Sequence, residues 1–344
     1  MSKMSLQQEL TGEGLAQWMK QNVEGFEGPI TAERFAGGQS NPTFKLTTPT
    51  RNYVLRRKPS GQLLKGAHAV EREACVMNAL HGAGFPVPRI YGLCQDDAVI
   101  GSWFYVMEMM EGRIIWDATL SKLPAAERAA YFDAMNATMA QLHRVDYAAI
   151  GLGDYGRPGA YVERQVKRWS KQYFEDEAAG RNAHMDLLVE WMPKHLPEGD
   201  ETSIVHGDYR IDNLMFHPTE PRVIAVLDWE LSTLGHPLAD FAYHAMMYRM
   251  PPDILGGIKG VDLAASQLPD EAAYVRAYCE RTGRDGIGDL DFYVAFNMFR
   301  FAAILHGIRG RVLRGTASSA EAVALSSKFE RVAELAWEQA QKAR

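Results

Sequence analysis

The spacing of apolar positions changes character near Trp116. Before it the chain carries short apolar runs separated by turn residues. After it apolar residues recur mostly every three or four positions, the period of helices packed on one face. Leu10, Leu15, Trp18 and Met19 stand among polar neighbours and predict an amphipathic helix over 6–22. Phe35 and Phe44-Lys45-Leu46 flank the turn Gly37-Gly38-Gln39-Ser40-Asn41, so a strand, a turn and a strand follow. Asn52 to Arg57 predicts a further strand, Pro59 to Gly66 a loop and Ala67 to Gly82 a helix. Pro86-Val87-Pro88 breaks the chain ahead of strands at Arg89–Cys94 and Trp103–Met109. Helices are then predicted over 124–144, 158–179, 183–195, 237–249, 269–282, 289–314 and 318–342, with one interruption at 203–230. Segregated strands and helices argue for the α+β class. The predicted lobes are a β-rich one over 1–110 and a mainly helical one over 111–344.

The interruption is a hairpin. Asn213-Leu214-Met215-Phe216 and Arg222 to Trp229 flank the turn cluster His217-Pro218-Thr219-Glu220-Pro221, so Asn213 and Asp228 meet at its open end. Just before it, His206, Asp208 and Asn213 spell H-x-D-x-x-x-x-N, the spacing of a kinase catalytic loop. There the Asp accepts the proton of a hydroxyl and the Asn holds Mg²⁺. With 10 His in the chain, about 0.03 such triples are expected by accident. Asp228 closes a β-branched apolar run where a kinase places its main metal ligand. Two hard oxygen donors suit Mg²⁺, which keeps waters and takes substrate phosphates as further ligands.

Upstream residues extend the pattern. Gly37, Gly38 and Ser40 lie in a turn whose amides suit a phosphate, because glycines let the backbone approach closely. The turn lacks the G-x-G-x-x-G pattern. Val70, Glu73, Met77 and Leu80 form a helical stripe that Glu73 interrupts, and a carboxylate there needs a cationic partner. Arg56, on the same strand face as Val54, is the expected partner and would grip nucleotide phosphates. Glu108 to Met110 stand where a hinge presents backbone groups to adenine.

At 344 residues and 47% hydrophobic, the chain is large enough for two lobes with real cores. A net charge of −6 argues against a nucleic-acid-coating role. Three widely spaced cysteines, Cys75, Cys94 and Cys279, suggest reduced thiols and a cytoplasmic protein. The first residues have no apolar signal core, and no stretch has the length of a membrane span. The sequence does not fix an oligomeric state.

HGDYRIDNLMF followed by VIAVLDWE resembles the aminoglycoside phosphotransferase and choline kinase group of small-molecule kinases. YVLRRKP at 53–59, AHAVEREACVMNAL at 67–80, FPVPRIYGLC at 85–94 and LGHPLADFAY at 234–243 match as well. Within the group the chain is most similar to the branch fused to acyl-CoA dehydrogenases in animals and free-standing in bacteria. The resemblance implies a protein-kinase-like bilobal fold and an ATP- and Mg²⁺-dependent phosphotransferase acting on a small-molecule hydroxyl. It implies Asp208 as catalytic base and Asn213 and Asp228 as metal ligands. Glu73 matches the helix glutamate, and Arg56 stands at the strand position of the phosphate-gripping lysine. His206 matches a residue that brace the catalytic loop, and Asp240 a family acid that fixes loops. Trp229-Glu230 replaces the residues that follow the metal-binding Asp of protein kinases; Glu230 either caps the next turn or approaches the metal.

Two basic groups suggest a phosphate-rich acceptor. Arg164, Arg168 and Lys171 share a helix face, and Arg309, Arg311 and Arg314 cluster beside glycines. With the acyl-CoA dehydrogenase branch, they lead to a hydroxyacyl-CoA, a CoA thioester, as the expected acceptor. The alternatives are an aminoglycoside- or choline-type kinase and a nucleotide-binding pseudokinase scaffold.

Overall fold

The computed structural model describes residues 10, 12–35, 41–59, 68–317 and 319–343; Gly37, Gly38 and Ser40 lie outside the described residues. By its internal contacts the chain forms two compact units. The first gathers Met1–Ile114, Tyr147–Tyr155 and Asn213–Ser232; the second gathers Ile115–Asp146, Gly156–Asp212 and Thr233–Arg344.

In the first unit, helix α1 (Glu13–Asn22) precedes strands β1 (Thr31–Arg34), β2 (Thr43–Thr47) and β3 (Asn52–Arg57). Helix α2 (Val70–Gly82), β4 (Ile90–Cys94), the short α3 (Asp97–Ile100) and β5 (Phe104–Glu108) follow. The five strands form one antiparallel sheet in the order β1-β2-β3-β5-β4. Central β3 is buried from Tyr53 to Arg57, as a strand covered on both faces must be. Tyr53 and Leu55 join Leu15, Met19, Phe104 and Val106 in one core, which leaves Val54 and Arg56 on the opposite face. A second, three-stranded sheet joins β6 (Arg113–Ile114), β8 (Leu214–Phe216) and β9 (Val223–Val226) in the order β6-β8-β9. The predicted hairpin is thus present and is built into the first unit.

The second unit carries helices α4 (Ala125–His143), α5 (Tyr161–Glu175), α6 (Ala183–Trp191), α7 (Pro237–Ala245), α8 (Glu271–Thr282) and α9 (Leu290–Leu313). Helices α10 (Ala320–Ser326) and α11 (Phe329–Ala340) end it, and β7 (Ser203–Val205) pairs with β10 (Thr233–Gly235). α9 is 24 residues long and buried around most of its circumference, the mark of a helix at the centre of a helical core. The single helix predicted over 318–342 is two. The Ser326 and Ser327 hydroxyls donate to the carbonyls of Val323 and Ala324, a local alternative to helical bonding that marks the break. Helix α5 begins later than predicted because Ala160 adopts a left-handed backbone, φ +46°. No helix among the described residues is long and apolar enough to cross a membrane.

Candidate active site

In the first unit, the strand period puts Arg56 on the face of β3 that meets α2. Its Nε lies 2.9 Å from Glu73 Oε2. The N–H does not point squarely at that oxygen, so the pairing is Coulombic more than a directed hydrogen bond. Arg56 Nη2 donates to Asp228 Oδ1 at 2.7 Å and lies 3.7 Å from Glu230 Oε2. Glu73, 1% exposed, also accepts from Asn41 Nδ2 at 2.6 Å and from the Tyr105 hydroxyl at 3.1 Å. Burial pushes the Glu73 carboxyl up to about 7 against the pull of Arg56, and the Asp228 carboxylate adds to the rise. Burial opposes the Arg56 charge, but Tyr105 and the acids Glu73, Asp228 and Glu230 outweigh it and raise its pKa above the usual arginine value.

The hairpin sets the remaining oxygens. The Leu227 N–H donates to the Asn213 carbonyl at 2.9 Å, which ties the residue before Asp228 to the opposite strand end. Asp228 is left-handed, φ +64°, an uncommon backbone for a non-glycine residue and one concentrated at functional sites. Trp229 anchors this turn: it is buried, and its indole N–H donates to the Val226 carbonyl at 2.9 Å. The hairpin thus brings Asn213 and Asp228, an amide and a carboxylate, to its open end, where Asp228 Oδ1 is engaged by Arg56. Among the described residues no cluster of three or more His, Cys, Asp or Glu side chains is arranged to hold a metal. This donor set fits Mg²⁺ completed by phosphate oxygens and water better than a metal caged by protein alone.

In the second unit the loop after β7 is fixed by Asp240. Its carboxylate accepts the backbone N–H groups of His206 at 2.8 Å and Gly207 at 2.9 Å and lies 3.3 Å from His143 Nε2. Burial works against this charge, yet the bonds from His143 and the loop hold its pKa below the usual range. Gly207 has φ +82°, a conformation that favours glycine. His206 is fully buried, and its Nδ1 accepts the Asp208 N–H at 3.2 Å. Arg300, buried on α9, donates to the Gly207 carbonyl at 2.9 Å.

Asp208 Oδ1 accepts from the Tyr243 hydroxyl and from Arg210 Nε at 3.1 Å. Helix α7 supplies Asp240, Tyr243 and His244 at i, i+3 and i+4, so one helix face holds both the loop backbone and the Asp208 side chain. Tyr243 and Arg210 also wall a cavity of about 290 Å³ lined mainly by apolar and sulfur-bearing side chains. Its charged lining residues are Arg210 and Asp212, which pair at 3.1 Å.

Of the residues expected to bind nucleotide, Arg56 and Glu73 come together. The Glu108 N–H is taken by the Arg89 carbonyl at 2.9 Å, and Met110 is partly buried between β5 and β6. Three of the basic residues expected to meet the acceptor have other partners. Arg309 pairs with Glu330 at 2.8 Å, Arg314 Nη2 with Asp176 Oδ2 at 3.0 Å, and Arg164 Nη2 donates to the Arg157 carbonyl at 2.7 Å. Arg311 is exposed near the end of α9. None of these four lines the cavity beside Tyr243. Sequence reasoning assigned no role to Asn41, Tyr105, Arg210 or Tyr243. Tyr243 closes the LGHPLADFAY stretch, and its place one helical turn after Asp240 was the available signal.

Arg56 and Glu73 form one buried unit, which gives a test by double-mutant cycle. Arg56→Met and Glu73→Gln are each expected to raise KM for ATP, and the double variant to cost less than their sum by about 1–3 kcal/mol. Strict additivity in steady-state kinetics would contradict the contact.

Comparison with known proteins places this geometry in context. A model of the phosphotransferase enzyme family matches residues 31–293. Acyl-CoA dehydrogenase family member 10 of Mus musculus is 46% identical over 317 residues, which is 92% of this chain but 30% of that protein. The chain therefore spans less than a third of that curated relative. A crystal structure from Ralstonia eutropha, described as an aminoglycoside phosphotransferase, is 54% identical with a TM-score of 0.89, covering 96% of this chain and 98% of that one. Choline kinase from Cryptosporidium parvum shares the fold at 13% identity and a TM-score of 0.58, covering 95% of this chain and 94% of that one.

Proposed function

The chain belongs to the phosphotransferase enzyme family, and on that premise we propose that it moves the γ-phosphoryl group of ATP, with Mg²⁺, to the hydroxyl of a hydroxyacyl-CoA. The observation that carries this reading is the hydrogen bond from the Tyr243 hydroxyl to Asp208 at the wall of the cavity. The carboxylate already accepts the kind of bond that an acceptor alcohol must donate before it reacts.

In this reading Asp208 takes the proton of the acceptor hydroxyl. The acceptor oxygen bonds to the γ-phosphorus as the bond to the β,γ-bridging oxygen breaks, and ADP leaves. Asn213 and Asp228 would hold Mg²⁺, which would supply positive charge against the phosphates of the nucleotide. Arg56, steadied by Glu73, orients the nucleotide. Asp240, His206 and Arg300 fix the loop that carries Asp208. These contributions are positioning and electrostatics.

Two observations support an acyl thioester over other acceptors. A relative with 46% identity is named for acyl-CoA dehydrogenase. The cavity also offers a polycation one carboxylate, Asp212, already paired with Arg210, whereas an aminoglycoside calls for several uncompensated acids. A scaffold without activity is disfavoured by the complete set of Asp208, Asn213 and Asp228.

The test is a panel of acceptors with Mg·ATP, read by mass spectrometry: a hydroxyacyl-CoA, its free hydroxy acid, an aminoglycoside and choline. The hydroxyacyl-CoA is expected to be phosphorylated with a kcat/KM at least tenfold above the others. Equal turnover of the free acid, without competition by CoA, would overturn the thioester and leave the broader hydroxyl acceptor standing.

A further inference from the structure

We propose that the methionine-lined cavity beside Tyr243 binds the hydrocarbon chain of the acceptor, and that Ala118 and Met247 set the chain length it accepts. This rests on the hydroxyl-acceptor reading above, because Tyr243 links the cavity to Asp208.

The lining separates by polarity. Arg210 is engaged by both Asp208 and Asp212, and Tyr243 spends its hydroxyl on Asp208. Elsewhere in the lining Met246, Met250 and Ala118 are buried, and Met247 is partly buried. His244, also in the lining, engages Tyr209 and Tyr274, and burial lowers its pKa to about 4, so it is neutral near pH 7. An ammonium or a sugar hydroxyl placed against these walls would lose its hydration without gaining partners. A methylene chain loses nothing, and thioether side chains adapt to its bends.

The backbone points the same way. Leu255, which lines the cavity, sits in the left-handed region at φ +53°, and Gly256 follows at φ +64°. A bulky side chain rarely adopts that conformation, and such strain tends to persist where a site needs it. Here it carries an apolar side chain into the wall.

The cavity also limits length. A dry cavity of about 150 Å³ holds a six-carbon ring, so about 290 Å³ accommodates roughly twelve heavy atoms, a thioester end together with a chain of about eight carbons.

The experiment uses probes without a reactive hydroxyl and without CoA: N-acetylcysteamine thioesters of straight saturated acids with four, eight and fourteen carbons. Their binding to the full chain is measured by calorimetry. Each buried methylene contributes up to about fourfold in affinity. Affinity is expected to rise at least tenfold from four to eight carbons and to gain nothing further at fourteen. Ala118→Leu should weaken the eight-carbon probe about tenfold and spare the four-carbon one. Met247→Ala should extend the gain to fourteen carbons, a result that structural damage would not produce. Melting curves identify any variant that fails to fold, and the wild-type series and the other variant then decide. A flat wild-type series, or a slope that the folded variants leave unchanged, would overturn the proposal. Because the probes cannot be phosphorylated, a chain-length series that holds while the acceptor panel fails would discredit the phosphotransfer reading alone.

Discussion

Asp208→Asn is expected to lower kcat by roughly 10²–10⁴ while leaving Mg·ATP affinity within about threefold of wild type. The amide keeps the size of the side chain and can still accept the Tyr243 hydroxyl bond, so the cavity wall is preserved. It cannot take a proton from the acceptor alcohol, and it no longer balances the Arg210 guanidinium, 3.1 Å from Asp208 Oδ1. The groups proposed to bind Mg·ATP are other residues: Arg56, Asn213 and Asp228. Steady-state kinetics with saturating acceptor, alongside calorimetry of Mg·ATP, separates the two effects. Turnover near the wild-type rate would remove Asp208 from the role of base.

Asp228→Ala is expected to weaken Mg·ATP binding roughly 10²-fold, because it deletes a full charge beside the cation. Asn213→Ala, which deletes a neutral oxygen, should cost about tenfold. The Asp228 variant also frees Arg56 Nη2 from its 2.7 Å partner, but Glu73 remains 2.9 Å from Nε and keeps the guanidinium compensated. The fold should therefore survive, and the loss should fall on the metal-bound nucleotide more than on ATP in chelator. Calorimetry with and without Mg²⁺ measures that difference. Unchanged affinity for Mg·ATP in Asp228→Ala would sink the metal assignment.

The parts of the candidate site that were legible in the sequence are those whose chemistry is local or breaks a local pattern. Asp208, Asn213 and Asp228 lie on one continuous stretch, and a strand–turn–strand pattern dictates that Asn213 and Asp228 converge. Glu73 announced itself as a charge on an apolar helical stripe, and Arg56 as a cation on the facing strand. Tyr243 broke no apolar pattern, and only its place one helical turn after Asp240 pointed to it. A tyrosine on an apolar helix reads as core packing, and its bond to Asp208 joins residues 35 positions apart. Arg300 gave no sign of its supporting place, because its partner is a backbone carbonyl, which no side-chain pattern reveals. Arg309 and Arg314 looked available as a cluster. Their acids, Glu330 and Asp176, lie on other elements, and only the tertiary structure brings each pair together. The helical period predicted the extent of α9 closely, yet missed the break after α10, where the Ser326 and Ser327 hydroxyls bond to carbonyls of the preceding turn.

Phosphoryl transfer to a carbon-bound hydroxyl is tested most directly by ³¹P NMR of the full chain with Mg·ATP and a hydroxyacyl-CoA. The account predicts a new phosphomonoester resonance coupled to the carbinol proton, growing in step with ADP, absent with chelator and nearly absent with Asp208→Asn. ADP accompanied only by inorganic phosphate, with the carbinol unmodified, would contradict it.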